Sequence, residues 1–243
     1  MALALAAAVL AAPVKVGAGV HRPFYPPSPA EQEVSIEAFR MDATPVTNAE
    51  FLAFAQAHPE WAKGGAPSLF ADPRYLQDWA GPAALGVSTP EAPVTWVSWH
   101  AARAYCRAQG GDLPTTWQWE YAADAMADAP HGAQKDPATL RRILDWYASD
   151  APLGAVGQDT PNYWGLYDLH GLIWEWTLDF NSVLVASDPR EAGDADTLRF
   201  CGAGAVSAED AEDYATFMRS AFRASLKAAY TTSDLGFRCA YPL

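Results

Sequence analysis

Asn162-Tyr-Trp-Gly-Leu-Tyr-Asp168-Leu-His170-Gly171-Leu-Ile173-Trp174-Glu175-Trp176 and, about sixty residues later, Leu235-Gly236-Phe237-Arg238-Cys239 are the stretches whose reading decides the fold. The first sets Gly, Asp, His and Glu at fixed points among aromatics, which is too polar for a simple core strand. Its glycines permit backbone conformations that other residues resist. The pattern is that of a ligand-bearing loop threaded through a core.

Three upstream segments extend the pattern. They are Pro45-Val46-Thr47-Asn48-Ala49-Glu50-Phe51, the run Pro93-Val94-Thr95-Trp96-Val97-Ser98-Trp99 leading to Ala101 and Tyr105-Cys106, and Gly110-Gly111-Asp112-Leu113-Pro114-Thr115-Thr116 leading to Trp119-Glu120-Tyr121-Ala122-Ala123. Five motifs in this order resemble the signature of the formylglycine-generating enzyme (sulfatase-modifying factor) family, with Asp112 and Thr116 standing where that family usually has Arg and Glu. The resemblance implies an α+β, loop-rich fold, an elaborated C-type-lectin-like domain. Boundaries follow as a possible truncated signal peptide at 1–12, a Pro-rich lead-in at 13–33 and the sulfatase-modifying-factor domain at 34–243.

Local signals agree with a mixed, loop-rich fold. Thr47 to Glu50 has capping-box spacing, so a helix is expected from Asn48 to about Ala57 with Phe51, Leu52 and Phe54 facing the core. Ser98 caps a second helix that runs to about Gln109 and stops at Gly110-Gly111, and Thr115 begins a third carrying Trp119 and Tyr121. Val34 to Phe39 alternates apolar and polar residues as a half-buried strand does.

Composition narrows the partners. The 243 residues are 50% hydrophobic, enough for one large core, and ten each of Trp, Tyr and Phe tile it with rings that carry polar handles. A net charge of −13 with only 16 basic residues leaves no concentrated Lys/Arg surface for nucleic-acid phosphates. The run Met1 to Ala12 resembles the hydrophobic part of a secretory signal without its basic start. It is too short to span a bilayer, so the expectation is a periplasmic or secreted protein with no membrane span; a disordered Ala-rich tail is the alternative.

Cysteine and histidine usage bounds the chemistry. Three cysteines in an exported chain leave at least one thiol over, and sequence alone allows any pairing. The resemblance implies a bridge between Cys106 and Cys239, worth ~4 kcal/mol in the chain-entropy model. Cys201 is then the free thiol, a metal or redox site or else a small buried hydrophobe. His21, His58, His100, His131 and His170 form no pair at metal-ligand spacing, so any redox metal is unspecified.

The resemblance also carries site residues. Formylglycine generation in that family uses two nearby cysteines that hold copper ahead of an arginine-rich strand. Placing Arg219 to Arg223 on that strand puts Ala215 at the second cysteine, and no cysteine lies from 202 to 238. Formylglycine generation is therefore not expected. A structural calcium ion is implied at the Asp168 carboxylate, the Gly171 and Ile173 carbonyls and the Glu175 carboxylate, although Leu172 replaces the usual Asn; a core hydrogen-bonding role for Glu175 is the alternative. A groove for a peptide, protein segment or small molecule carries over onto Trp174, Arg223 and Asp234.

Leu69 to Leu76, His170 to Trp176 and Phe200 to Gly204 resemble a subgroup encoded beside copper nitrite reductases. The functional expectation is an exported accessory or maturation factor for a metalloenzyme. The alternatives are an oxidoreductase using another metal and a non-catalytic binding module.

Overall fold

A computed structural model describes residues 12–23, 30–149, 151–181 and 211–243. The apolar run at 1–12, apart from Ala12, and the thiol of Cys201 lie outside them. Strand β1 (Val14–Val16) pairs antiparallel with β4 (Phe39–Met41), and β4 pairs antiparallel with β7 (Ala240–Tyr241), so the two ends of the chain meet in one sheet. Strand β2 (Gly19–His21) pairs antiparallel with β3 (Val34–Ile36). Two findings correct the expectations above. The folded domain begins ahead of residue 34, because the lead-in supplies β1 and β2, and the strand expected from Val34 to Phe39 breaks at Glu37-Ala38 into halves with different partners.

The helices start where side chains cap them. Helix α1 (Asn48–Ala57) has a complete capping box, with Glu50 N–H donating to Thr47 Oγ1 and Thr47 N–H donating to Glu50 Oε2. Ser98 caps α2 (Trp99–Ala108), and Thr115 with Gln118 forms a second capping box on α3 (Thr116–Ala123). Asp136 caps α4 (Pro137–Tyr147), whose first residue is the proline that the first turn tolerates. Helix α5 (Ala211–Ser225) occupies the segment expected as an arginine-rich strand. The physical reason lies in its spacing. Arg219 and Arg223, four apart, fall on one helical face, where a single carboxylate serves both.

Backbone bonds draw the motifs together. Val94 N–H donates to Val46 O at 2.9 Å and Val46 N–H to Phe237 O at 2.9 Å. Asn48 donates through Nδ2 to the carbonyls of Thr89, Ala92 and Pro93, while its Oδ1 accepts from Trp79 Nε1. One main core forms around Phe51, Phe54, Tyr105 and Phe237, whose ring centroids lie 5.3–6.0 Å apart in the contacting pairs. Beside it Cys106 on α2 is bonded to Cys239, with Cα atoms 5.3 Å apart across a sequence separation of 133. The bridge fastens α2 to the C-terminal motif.

The two stretches that open the sequence reading lie side by side. Strand β5 (Trp174–Glu175) pairs in parallel with β6 (Leu235–Gly236). Gly236 is required there, since a Cβ would come 2.4 Å from Val94 O and 2.8 Å from Ile173 Cδ1.

Candidate functional site

Glu175 and Arg238, one from each paired stretch, form a fully enclosed ion pair. Arg238 Nη2 donates to Glu175 Oε1 and Nε to Oε2, both at 2.8 Å. Trp119 Nε1 adds a third donor to Oε2 at 2.8 Å, and the remaining guanidinium hydrogens go to the carbonyls of Asp42, Ala43 and Tyr167. A buried pair of this kind holds only because its donors and acceptors are met.

A second charged centre lies on the other side of Trp119. Glu120 on α3 accepts from Arg219 Nε at 3.1 Å, Arg219 Nη2 at 2.8 Å and Arg223 Nη1 at 2.5 Å. The Arg223 guanidinium stands 4.8 Å from the Trp119 ring centroid. Burial alone would raise the Glu120 carboxyl, but the two guanidiniums outweigh it and hold the group ionised far below the usual carboxylate range.

Residues of both centres, Glu175, Arg219 and Arg223, line a narrow crevice together with Trp146, Tyr147, Trp174 and Phe222. Trp174 stacks on Phe222 (4.4 Å, 25°) and on Tyr147 (4.9 Å, 19°), with Trp146 at 5.0 Å. Of the three groove residues expected, Trp174 and Arg223 therefore converge. Asp234 does not join them through its carboxylate, which accepts from Thr232 Oγ1 at 2.7 Å; it contributes its carbonyl, bonded by Trp174 N–H at 2.7 Å. Trp146, Tyr147 and the Glu120–Arg219 pair were missed in sequence. The signals available were the amphipathic run 137–147 and the four-residue spacing of Arg219 and Arg223.

The calcium donors can be tested against this geometry. Both Glu175 oxygens are already engaged, and Arg238 neutralises the charge. Asp168 has a left-handed backbone (φ 57°), and its Oδ2 accepts from Gly157 N–H at 2.6 Å. Burial pushes the Asp168 carboxyl up, opposed by the Gly157 hydrogen bond and the charge of Arg238. Among the described residues no group of three or more His, Cys, Asp or Glu is placed to hold a metal ion. The set Asp168, Gly171, Ile173 and Glu175 does not fit calcium as it stands, because a guanidinium already supplies the positive charge.

The two departures from the motif are explained locally. Asp112 accepts from Arg103 Nε at 2.9 Å and from Arg107 Nε at 3.3 Å, and Thr116 shares a hydrogen bond with Thr177 at 2.9 Å.

His170 borders both the crevice and a neighbouring cleft of about 230 Å³ that Asp159, Asn162 and Asp168 also line. Its Nε2 lies 2.9 Å from Ala123 O, so the neutral ring donates there. Burial, helped by the charge of Arg219, pushes the imidazole down to about 3. A base with a depressed folded pKa contributes stability above its unfolded pKa and loses it as pH falls. Between pH 7 and pH 5 the unfolded chain takes up the proton and folding loses about 2 kcal/mol through this residue. Asp42, pushed up to about 6 by burial, acts in the opposite sense over the same window. The difference between wild type and His170→Gln in urea titrations at both pH values therefore isolates the histidine, and equal pH dependence in the two proteins would contradict the assignment.

The sulfatase-modifying factor enzyme 1-like domain is matched by residues 7–243. This chain belongs to that family. Its relatives include a formylglycine-generating enzyme of Bos taurus, 29% identical, with 86% of this chain and 67% of that protein covered. The formylglycine-generating enzyme of Thermomonospora curvata is 28% identical, covering 85% of this chain and 83% of that protein. An inactive C-alpha-formylglycine-generating enzyme 2 of Bos taurus is also 28% identical over 86% and 79%. Among solved structures, PvdO from Pseudomonas aeruginosa superposes with a TM-score of 0.52 at 20% identity, covering 94% of this chain and 93% of that one. That likeness shows the fold, which is the family's fold. No helix among the described residues is long and apolar enough to cross a membrane.

Proposed function

We propose that this sulfatase-modifying-factor protein does not generate formylglycine and serves as an exported accessory factor in the maturation of a metalloenzyme, holding a peptide, protein segment or small molecule at the Trp174 crevice. The thiol count carries the reading. Cys106 and Cys239 are joined to each other, and Cys201 is the one cysteine left. No cysteine lies from 202 to 238, so the segment to which the resemblance assigns the second copper thiolate offers none. Cu(I) held between two thiolates lacks a sulfur here.

Three observations support the rest. A relative named as an inactive formylglycine-generating enzyme has a similar sequence over most of its length. A persistent disulfide and the apolar run at 1–12 suit an oxidising compartment such as the periplasm. The segments Leu69 to Leu76, His170 to Trp176 and Phe200 to Gly204 resemble the subgroup encoded beside copper nitrite reductases, which makes that reductase the candidate client. The test is to produce that reductase in the periplasm with and without this protein. A lower copper-to-protein ratio in its absence is expected, and equal copper loading would reject the accessory role.

A further inference from the structure

The crevice at Trp174 is closed by the protein's own rings. Tyr147 lies nearly parallel to Trp174, with its centroid 4.9 Å away and its plane tilted by 19°. Arg219 donates a side-chain hydrogen bond to the Tyr147 phenol oxygen, and the phenol hydroxyl goes on to Ala215 O at 3.2 Å. The space left over is about 10 Å³, room for no more than one water. No ring or peptide enters while Tyr147 stays.

Helix α4, which carries Trp146 and Tyr147, is attached lightly. Its buried side chains are Leu140 and Ile143, which meet Ala215 in a small cluster separate from the two larger cores. Among the described residues, the backbone hydrogen bonds of 136–155 are all local. The nearest ties to the rest of the chain are Ala133 N–H to Asp124 O upstream and Val156 N–H to Glu91 O downstream. Besides the Tyr147 bonds, the helix is held by an exposed pair of Arg142 with Asp159 at 3.2 Å. A segment with so few buried contacts opens at a lower free energy than the whole domain.

We infer that the end of α4 is a displaceable plug, and that the ligand replacing Tyr147 on Trp174 is a flat phenol ring whose oxygen accepts from Arg219. The plug defines the shape of its substitute. A ring recovers the stacking on Trp174, and a phenol oxygen recovers the Arg219 hydrogen bond while its hydroxyl reaches Ala215 O. An aliphatic group forfeits the first, and an unsubstituted ring leaves the buried guanidinium donor unmatched. The inference deepens the crevice reading and rests on it for location. Opening of α4 and phenol binding are measured without any metalloenzyme, so this inference and the maturation role fail separately.

The test uses the full chain. In native-state hydrogen exchange, the amides of 143–147 are expected to show protection at least ~100-fold below those of α2, which the disulfide fastens, with little dependence on added urea. Tyr147→Phe keeps the ring but not the acceptor for Arg219, and should exchange roughly 5-fold faster there than wild type. A ligand that binds only the open form has its affinity reduced by the open fraction. Tyr147→Ala removes the competing ring, so in calorimetric titration p-cresol should bind it at least ~10-fold more tightly than wild type, and toluene more weakly than p-cresol. N-acetyltyrosinamide binding as tightly as p-cresol assigns the site to a tyrosine of a peptide, and p-cresol binding alone assigns it to a free phenol. Exchange of 143–147 with the protection and urea dependence of α2 overturns the inference, as does equal p-cresol affinity in wild type and Tyr147→Ala.

Discussion

Arg238→Met is expected to destabilise the fold by about 3–5 kcal/mol, because it removes one partner of a buried ion pair and leaves the Glu175 carboxylate enclosed without its counter-charge. Both residues have side-chain exposures of 0%. The guanidinium also satisfies three carbonyls, those of Asp42 and Ala43 just after β4 and that of Tyr167, which tie the C-terminal motif to the turn after β4 and to the loop that leads into β5. Urea titration reads the loss. The paired variant Glu175→Leu/Arg238→Met should recover a substantial part of it, since two apolar residues leave no lone charge. A single Arg238→Met variant as stable as wild type would show that the carboxylate finds another partner, and would reopen Glu175 to a metal.

Cys106→Ser is expected to cost about 4 kcal/mol. The bridge closes a loop of 133 residues, and the unfolded chain without it gains the entropy of that whole loop. The same loss should follow reduction of the wild type, and reducing agent should leave Cys106→Ser unchanged. Non-reducing peptide mapping that finds both thiols free in exported protein would contradict the pairing, as would a reduced protein with undiminished stability.

Local signals carried the fold further than the site. Helices α1, α2 and α3 were legible because their caps are side chains a few residues from the backbone they bond: Thr47 with Glu50, Ser98, and Thr115 with Gln118. The five motifs were legible as a set, and the structure brings them together through Val46, Val94 and Phe237. Helix α5 was read as a strand, since its two arginines meet Glu120 about a hundred residues earlier and no short-range pattern records that meeting. Strands β1 and β2 were passed over for the same reason. Each is three residues long and exists through its partner.

The crevice shows the limit most clearly. Trp174 and Arg223 were foreseen together, yet Trp146 and Tyr147 arrive from α4, a helix outside the motifs, and cover Trp174. The position foreseen for calcium depended on what faces Glu175, and that partner is Arg238, sixty-three residues along the chain. Sequence gives the donors of a site more readily than the groups that compete for them.

The most direct measurement concerns the thiols. A sulfatase-type cysteine peptide is incubated with the purified protein, copper and oxygen, and mass spectrometry follows conversion of the thiol to the aldehyde. With Cys106 and Cys239 bridged and no cysteine from 202 to 238 to serve as a second ligand thiolate, the account predicts a peptide that keeps its thiol as it does in a protein-free control. Substantial aldehyde formed above that control would contradict it.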